Sequence, residues 1–262
     1  MDGSARSLVL RRDDGGVATL TLNRPQARNA LSVAMMSAIE DALDAIANDR
    51  SVKVVVLAAS GPGFCAGHDL RELRATPDRQ YYEAVFAQCS RMMTGIVKLP
   101  QPVIARVHGI ATAAGCQLVA TCDLAVASAD ARFATSGINV GLFCATPAVA
   151  VSRTIGRKAA MEMLLTGDLI GAEEARRIGL VNHVVAAPQL DDTVTTLAQR
   201  IARQLPLAVA IGKASFYRQV ESNLAEAYRD AGEAMVRNML AADTAEGIDA
   251  FLEKREPSWR RR

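Results

Sequence analysis

Residues 103–123 (VIARVHGIATAAGCQLVATCD) restrict the possible folds of this chain more than any other segment. An apolar stretch typical of a buried strand runs into a turn of glycine and alanine, and the turn opens a helix. The first amides of a helix have no partner within the helix, and small side chains leave the approach to them open. The segment therefore predicts an α/β fold with a turn that binds an anion or an electron-rich oxygen.

A second segment, residues 63–73 (GFCAGHDLREL), repeats this design after an apolar strand. Its glycine-rich loop leads into a helix that is predicted to start within residues 68–70. Two turns of this kind can direct two amide donors at a single oxygen, which is the geometry of an oxyanion hole. Together the two turns predict a site for a carbonyl oxygen on which negative charge develops.

Hydrophobic periodicity gives the remaining elements. Strands are predicted over 8–12, 17–22, 53–59, 103–107 and 124–127 and near 184, and helices over 32–47, 79–99, 147–154, 158–165, 172–178, 190–202, 207–239 and 244–253. Apolar positions that recur on one side of the helix over 79–99 are interpreted as core: Tyr82, Val85, Phe86 and Cys89. Alternating strands and helices followed by a helical tail predict an α/β core over 1–190 and a C-terminal helical section over 191–262.

Composition and charge favour a globular enzyme. The chain has 262 residues, 50% of them hydrophobic, and a formal net charge of +2. Its basic residues are dispersed apart from a terminal run over 260–262, interpreted as a solvated tail, so no nucleic-acid partner is expected. The five cysteines are odd in number and form no CxxC pair. They indicate reduced thiols and predict neither a disulfide framework nor a metal site.

Two stretches of the sequence bear on where the protein is located. Residues 1–12 lack the sustained apolar segment of a secretory leader, which predicts a cytoplasmic protein. Residues 133–152 carry no charge, but polar residues, glycine and proline interrupt them. A bilayer core would penalise such a backbone, so this stretch predicts a buried loop and a helix start rather than a membrane span.

Six motifs are distributed along the chain: NRPQARNALS at 23–32, AGHDL at 66–70, HGIATAAGCQLVATCD at 108–123, FATSGINVGL at 133–142, TGDLIGAEEARRIGLVNHVV at 166–185 and KREPSW at 254–259. They resemble motifs of the enoyl-CoA hydratase/isomerase, or crotonase, superfamily. The resemblance covers almost the whole chain. It implies a spiral of ββα turns with a C-terminal helical trimerisation region, and an assembly that is a homotrimer or a hexamer made of two trimers.

The same resemblance implies a site for an acyl-CoA thioester. The main-chain amides of His68 and Ala114 match the two that form the family's oxyanion hole. The residues expected around the substrate are Arg28, Ala30, Ala66, His68, Asp69, Leu70, Arg71 and Ala114. Arg28 and Arg71 are candidates for contacts with the phosphates of coenzyme A, and Asp69 is expected to cap the helix that follows. No separate cofactor is expected, because coenzyme A enters as part of the substrate.

Hydratases of this family activate water with two glutamates, and this chain has Gln117 and Gly137 at the matching positions. An amide does not take up a proton at neutral pH, and glycine has no side chain. Slow hydration is therefore expected. Other family chemistries place a carboxylate near Ala145, which is equally unable to serve, and Cys144 is interpreted as a buried, inert thiol.

Three functions remain open from the sequence. The first is an acyl-CoA-binding member of the family that stabilises a thioester enolate. The second is an acyl-CoA decarboxylase, because loss of CO₂ generates an enolate without a protein base and AGHD resembles that branch. There, however, Cys144 stands where a tyrosine is expected. The third is a binding module that keeps the ligand pocket without chemistry.

Overall fold

The structure, a computed structural model, describes residues 7–261 of the chain. The first six residues of the stretch examined for a leader, and the side chains of the terminal basic run, lie outside what is described. The strands are β1 (Val9–Asp14), β2 (Val17–Leu22), β3 (Val54–Ala59), β4 (Gly63–Cys65), β5 (Val103–Val107), β6 (Ile110–Thr112), β7 (Leu124–Ser128), β8 (Arg132–Ala134), β9 (Ile170–Gly171) and β10 (His183–Val185). The helices are α1 (Val33–Ala47), α2 (Leu70–Ala75), α3 (Arg79–Lys98), α4 (Ala114–Thr121), α5 (Ala145–Thr154), α6 (Arg157–Thr166), α7 (Ala172–Arg177), α8 (Leu190–Ala202), α9 (Pro206–Gln219), α10 (Leu224–Met239) and α11 (Ala242–Leu252).

A six-stranded sheet with the order β1-β2-β3-β5-β7-β10 forms the centre of the fold. Only the β1-β2 pair is antiparallel, and the other neighbours run parallel. The main core lies on one face, where α1 and α3 pack. Helix α8 covers the other face through Val194 and Ala198, which pack against Val54, Val56 and Ile104. Strands buried on both faces read as continuous apolar runs, which is why β3 and β5 were predictable.

A second sheet with the order β4-β6-β8-β9 was not predicted from the sequence. Its strands have two or three residues each, too few to show an alternation of apolar and polar positions. Strands β4, β6 and β8 run parallel to one another. The segments that follow them therefore leave the sheet at one common edge, and the residues singled out from the sequence lie there.

The interpretation of residues 133–152 as a buried loop is partly wrong. They form β8, a 3-10 turn over Ser136–Val140, and α5, but Val140, Leu142 and Phe143 are exposed. The turn places Gly137 on its inner side and leaves these apolar side chains outside. Within residues 7–261, no helix combines the length and the apolar character that crossing a bilayer requires.

The C-terminal part is helical, as predicted, but the helix expected over 207–239 is two helices. Asn223 accepts a hydrogen bond from the Glu226 amide (3.1 Å) and caps the start of α10. Asparagine is a preferred N-cap because its side chain satisfies an amide that the helix leaves free. Helix α9 is tied to the core by Lys213, and α10 and α11 expose many large apolar side chains. The division at residue 190 stays a prediction.

Candidate active site

The two glycine-rich loops touch each other. Gly67, after β4, has φ +89°, and a Cβ atom placed on it would lie 2.9 Å from the Cβ of Ala113 and 3.1 Å from the nitrogen of Ala114. A Cβ on Gly115 would lie 2.1 Å from the carbonyl oxygen of Cys65. Only glycine has both the free backbone conformation and the missing side chain that this approach requires. The loops after β4 and β6 are therefore in direct contact.

The main-chain amides of His68 and Ala114 are both free where the loops meet. Among the hydrogen bonds of the described residues neither of these amides is a donor, whereas the amides of Asp69, after His68, and of Ala113, before Ala114, are. The Asp69 amide donates to the Leu31 carbonyl (3.2 Å) and the Ala113 amide to the Ala134 carbonyl (2.9 Å). The site can therefore offer two uncommitted donors from adjoining turns.

Ala113 adopts an unusual backbone conformation immediately before the second amide. Its φ of 51° and ψ of −120° lie where an L-residue with a side chain is strained. Such strain persists only where the surrounding structure enforces it, and it concentrates at functional sites. Here it sets the direction of the first amide of α4. The strain supports a functional interpretation of the turn.

The substrate-contact residues predicted from the sequence come together along the first loop. The Ala66 amide donates to the Arg28 carbonyl (3.1 Å), so the segment carrying Arg28 and Ala30 runs beside the loop. Arg28 and Arg71 are exposed, and neither guanidinium has a partner within residues 7–261. Leu70 is also exposed. The arrangement leaves both arginines available at the rim of the site.

Asp69 caps α2, as the sequence predicted. One carboxylate oxygen accepts from the amides of Arg71 (3.0 Å) and Glu72 (3.3 Å), and the other accepts from Arg24 (2.7 Å). Burial alone would raise the pKa of Asp69, but the hydrogen bond and charge of Arg24, with the helix amides, outweigh it and hold the pKa below its ordinary value. Both oxygens are committed, so Asp69 fixes the loop that carries His68.

The His68 ring lies against α3. It meets the ring of Phe86 edge to face, with centroids 5.4 Å apart and an interplanar angle of 82°. Burial lowers the pKa of His68, so the ring is neutral at physiological pH. The interpretation of Phe86 as core is wrong, because this side chain is 38% exposed and borders the site. Helical spacing in the sequence could not reveal the contact between Phe86 and His68, since this contact depends on how α3 crosses the loop.

Gln117 lies in the first turn of α4. Its side chain is 4% exposed, and its Oε1 atom is buried without a hydrogen-bond partner in the described chain. Thr135, which directly follows β8, is fully buried, and its hydroxyl oxygen also has no partner there. Leaving a buried polar atom unsatisfied costs about 1–3 kcal/mol. Sequence reasoning missed Thr135 because no motif marks its orphaned hydroxyl.

Gly137 occupies a crowded position. A Cβ atom there would lie 2.4 Å from the carbonyl oxygen of Leu142 and 2.8 Å from the sulfur of Cys144. The Gly137 amide donates to that sulfur (3.3 Å). The loop has thus closed over the space that a glutamate side chain would need. This position lacks a carboxylate and also excludes one unless the backbone moves.

Cys144 and Ala145 offer no acid-base group in its place. Cys144 is buried, and desolvation raises the pKa of its thiol above the ordinary value, which keeps it protonated and unreactive. Ala145 is the first residue of α5. Over residues 7–261, no three His, Cys, Asp or Glu side chains are grouped so that they could hold a metal ion.

Comparison with known proteins shows the family to which this chain belongs. The model of the enoyl-CoA hydratase/isomerase family matches residues 12–262. A crystal structure of enoyl-CoA hydratase from Mycobacterium smegmatis is 60% identical, with a TM-score of 0.95, and covers 97% of this chain and 99% of that one. The chain belongs to the enoyl-CoA hydratase/isomerase (crotonase) superfamily, and its crotonase-like α/β fold is as predicted.

Two further relatives share a name. The rat protein "Enoyl-CoA hydratase domain-containing protein 3, mitochondrial" is 47% identical over 252 residues, which are 96% of this chain and 84% of that protein. The crystal structure of human enoyl coenzyme A hydratase domain-containing protein 3 is 45% identical, with a TM-score of 0.93, and covers 96% of this chain and all (100%) of that one. The similarity therefore extends over nearly the full chain in both sequence and structure.

These names correct one prediction. The relatives from rat, mouse and human are named as mitochondrial proteins, which contradicts the cytoplasmic location predicted from the sequence. A sustained apolar segment marks only a secretory leader, whereas mitochondrial leaders are amphipathic and rich in arginine and serine. The lack of an apolar segment therefore did not distinguish the cytoplasm from the mitochondrion.

Proposed function

We propose that this protein binds an acyl-CoA thioester and holds its carbonyl oxygen with the main-chain amides of His68 and Ala114. The observation that carries the proposal is the pair of uncommitted amides on two loops that Gly67 brings into contact. When a thioester becomes an enolate, negative charge moves onto this oxygen. Fixed donors placed at that point stabilise the charge, by about 2.7–4 kcal/mol for each donor in comparable sites.

The rim of the site suits the rest of the substrate. Arg28 and Arg71 are exposed beside the first loop, which supports their proposed role in binding the phosphates of coenzyme A, because guanidinium groups bind phosphate strongly. Coenzyme A is then part of the substrate, and the proposed function requires no separate cofactor.

Ordinary hydration is expected to be slow. Neither Gln117 nor Gly137 can move a proton, and the space beside Gly137 is filled by Leu142 and Cys144. General acid-base groups each contribute about 10²- to 10⁴-fold to a rate. The rate contributions of two groups that act on the same water are not additive. The expected loss of hydration rate is therefore that of the pair acting as a unit, not the product of two separate factors.

Two measurements on the wild-type protein test this function. Isothermal titration with butyryl-CoA should show binding, and the hydration of crotonyl-CoA should be far slower than the common enzyme range of about 1–10³ per second. No binding of any acyl-CoA would contradict the proposed site. Hydration at ordinary rates would contradict the claim that a base is missing.

A decarboxylase is the second candidate, favoured by the same lack of a base, because loss of CO₂ forms the enolate without one. Release of CO₂ from methylmalonyl-CoA or ethylmalonyl-CoA would establish it, and failure of every dicarboxylic thioester to react would remove it. Tight binding of acyl-CoA without turnover of any substrate would indicate that the protein is a binding module without chemistry.

We also propose that the protein assembles as a homotrimer or as a hexamer of two trimers. Helices α10 and α11 and the turn between them expose large apolar side chains: Leu240, directly after α10, is 82% exposed, and Phe251, in α11, is 81% exposed. Apolar patches of this kind on a protein surface commonly mark contacts with another chain. Light scattering coupled to size-exclusion chromatography should give the mass of three or six chains, and the mass of one chain would contradict the assembly.

A further inference from the structure

The first glycine-rich loop pairs with residues 28–31 on both sides of His68. The Leu31 amide donates to the Gly67 carbonyl (2.8 Å), and the Asp69 amide donates to the Leu31 carbonyl (3.2 Å). Leu31 and His68 thus form an isolated parallel bridge. In a bridge of this kind, the residue that lies between the two hydrogen bonds turns its own amide to the opposite side. The bridge therefore explains why the His68 amide is free, and it sets the direction in which this amide points.

Asn29 anchors this bridging segment to the body of the fold. Its side chain is fully buried (0% exposed). The carboxamide oxygen accepts from the Arg24 amide (2.9 Å), and the carboxamide nitrogen donates to the carbonyls of Ser60 (2.8 Å) and Gly63 (3.0 Å). Ser60 follows β3, and Gly63 is the first residue of β4. One side chain therefore ties the bridging segment to the connection between β3 and β4.

The requirements of this position match asparagine. Asn29 has a φ of 53°, a left-handed conformation that asparagine tolerates better than most residues. Its carboxamide both donates and accepts, whereas an aspartate would only accept and would place a charge against two carbonyls. Arg28 is also left-handed, with a φ of 49°. Two such residues in succession persist only where the surrounding structure enforces them, and the Asn29 hydrogen bonds provide that constraint.

We propose that Asn29 is a positioning residue for the first donor of the oxyanion hole. It holds the segment that forms the bridge with His68, and so it fixes the direction of the His68 amide without touching the substrate. Arg24 joins this anchor to the cap of α2, because its main-chain amide donates to Asn29 and its guanidinium to Asp69 (2.7 Å). The proposal rests on the function proposed above and adds a residue that acts through another.

The test is isotope-edited infrared spectroscopy of butyryl-CoA, labelled with ¹³C at the thioester carbon and bound to Asn29→Gly. Glycine keeps the left-handed backbone but removes all three side-chain hydrogen bonds. Displacing one of two donors should reduce the shift of the carbonyl band on binding by about half. Isothermal titration should show binding of butyryl-CoA weakened by about tenfold, as expected for the loss of one hydrogen bond to the ligand.

Asn23→Gly is the matched control. Asn23 is also a buried asparagine, and its side chain donates to the Ser7 carbonyl (3.0 Å) and accepts from the Ser60 hydroxyl (3.3 Å). Neither contact involves residues 28–31, so Asn23→Gly should keep the wild-type band shift. A merely structural role of Asn29 would lower the melting temperatures of both variants without moving the band in either.

Gly61→Ala disturbs the same anchor from the other side, because a Cβ on Gly61 would lie 2.4 Å from the Cβ of Pro25. This variant should also reduce the band shift, and it carries the test if Asn29→Gly does not fold. A wild-type band shift in both variants with the ligand fully bound would overturn the proposal, as would an equal reduction in Asn23→Gly. A wild-type protein that binds no acyl-CoA, or that binds butyryl-CoA without any band shift, would instead overturn the proposed function.

Discussion

Gly67 is the residue through which the two loops of the site meet. Its φ of +89° is open to glycine, and its missing side chain leaves room for Ala113 and for the Ala114 nitrogen. The proposed oxyanion hole uses main-chain atoms, so a change of side chain at His68 or Ala114 removes no donor. What sets the positions of the two amides is the close contact between the loops, which Gly67 and Ala113 make.

Gly67→Ala should therefore weaken acyl-CoA binding by at least about tenfold, because the new Cβ would force the two loops apart and misplace the amides. Gly179→Ala is the control, since Gly179 has nearly the same φ (+92°) and its nearest contact would be at 3.8 Å. Isothermal titration with butyryl-CoA measures both variants. Equal affinities for butyryl-CoA in the two would contradict this account of the loop contact.

Asp69 makes stability depend on pH. Its pKa in the folded protein lies below the ordinary value of 3.8, so its ionised form stabilises the fold at all pH values above that. This contribution is lost as the pH falls through the folded pKa. Asp69→Asn keeps a capping oxygen but loses the charge, and should lower the free energy of unfolding by about 1–3 kcal/mol at pH 7.

Urea denaturation at pH 7 and near pH 3 checks this prediction, because the difference between wild type and Asp69→Asn should shrink at the lower pH. Asp13→Asn is the control. Asp13 pairs with Arg11 at an exposed position, and such pairs contribute only about 0–1 kcal/mol. A difference for Asp69→Asn that stays constant across both pH values would exclude the charge as its source.

At the scale of elements, the sequence predicted what local periodicity encodes. The alternation in β2 and the unbroken apolar run of β3 gave both strands closely. Three short segments are strands only because they pair with one another across long separations in sequence: Gly63–Cys65, Ile110–Thr112 and Arg132–Ala134. No local sequence pattern indicates such pairing. The motifs predicted His68 and Ala114 as site residues, whereas the positions of Thr135 and Phe86 beside the two loops could be recognised only from the three-dimensional arrangement.

The 3-10 turn over Ser136–Val140 explains why replacing glycine by glutamate should not restore hydration. Gly137→Glu and Gly137→Ala both put a Cβ against Leu142 and Cys144, and overpacking of this kind costs about 1–3 kcal/mol. Gly156→Ala is the control, since a Cβ there meets nothing within 4 Å. Melting temperatures and crotonyl-CoA hydration rates should show loss of stability without gain of activity. Rapid hydration by Gly137→Glu would show that the turn is more adaptable than its packing indicates.

At the scale of the whole molecule, a buried polar cluster holds the C-terminal helices on the core. Lys213 of α9, with a side chain only 7% exposed, contacts Asp123 (2.7 Å) and the carbonyls of Ile96 and Gln101 (both 3.0 Å). Tyr217 donates to the other oxygen of Asp123 (2.9 Å). One cluster thus joins α9, the end of α3 and the start of β5 and β7.

Lys213→Met should reduce the free energy of unfolding by about 3–5 kcal/mol, because it leaves Asp123 as a buried charge without a counter-ion. Lys158→Met, at an exposed lysine, should have almost no effect. Chemical denaturation measures both, and limited proteolysis should cut the C-terminal helices of Lys213→Met first. Equal stability of the two variants would mean that the cluster does not hold the helices.

Isotope-edited infrared spectroscopy of bound butyryl-CoA, labelled with ¹³C at the thioester carbon, reports directly whether the two main-chain amides polarise the thioester carbonyl. Hydrogen bonds from the proposed donors, His68 and Ala114, would weaken the carbonyl double bond. The labelled band should therefore move to lower frequency on binding to the wild-type protein, and to a smaller extent with Gly67→Ala. A band that stays at its solution frequency while the ligand is fully bound would show that the amides do not polarise the carbonyl.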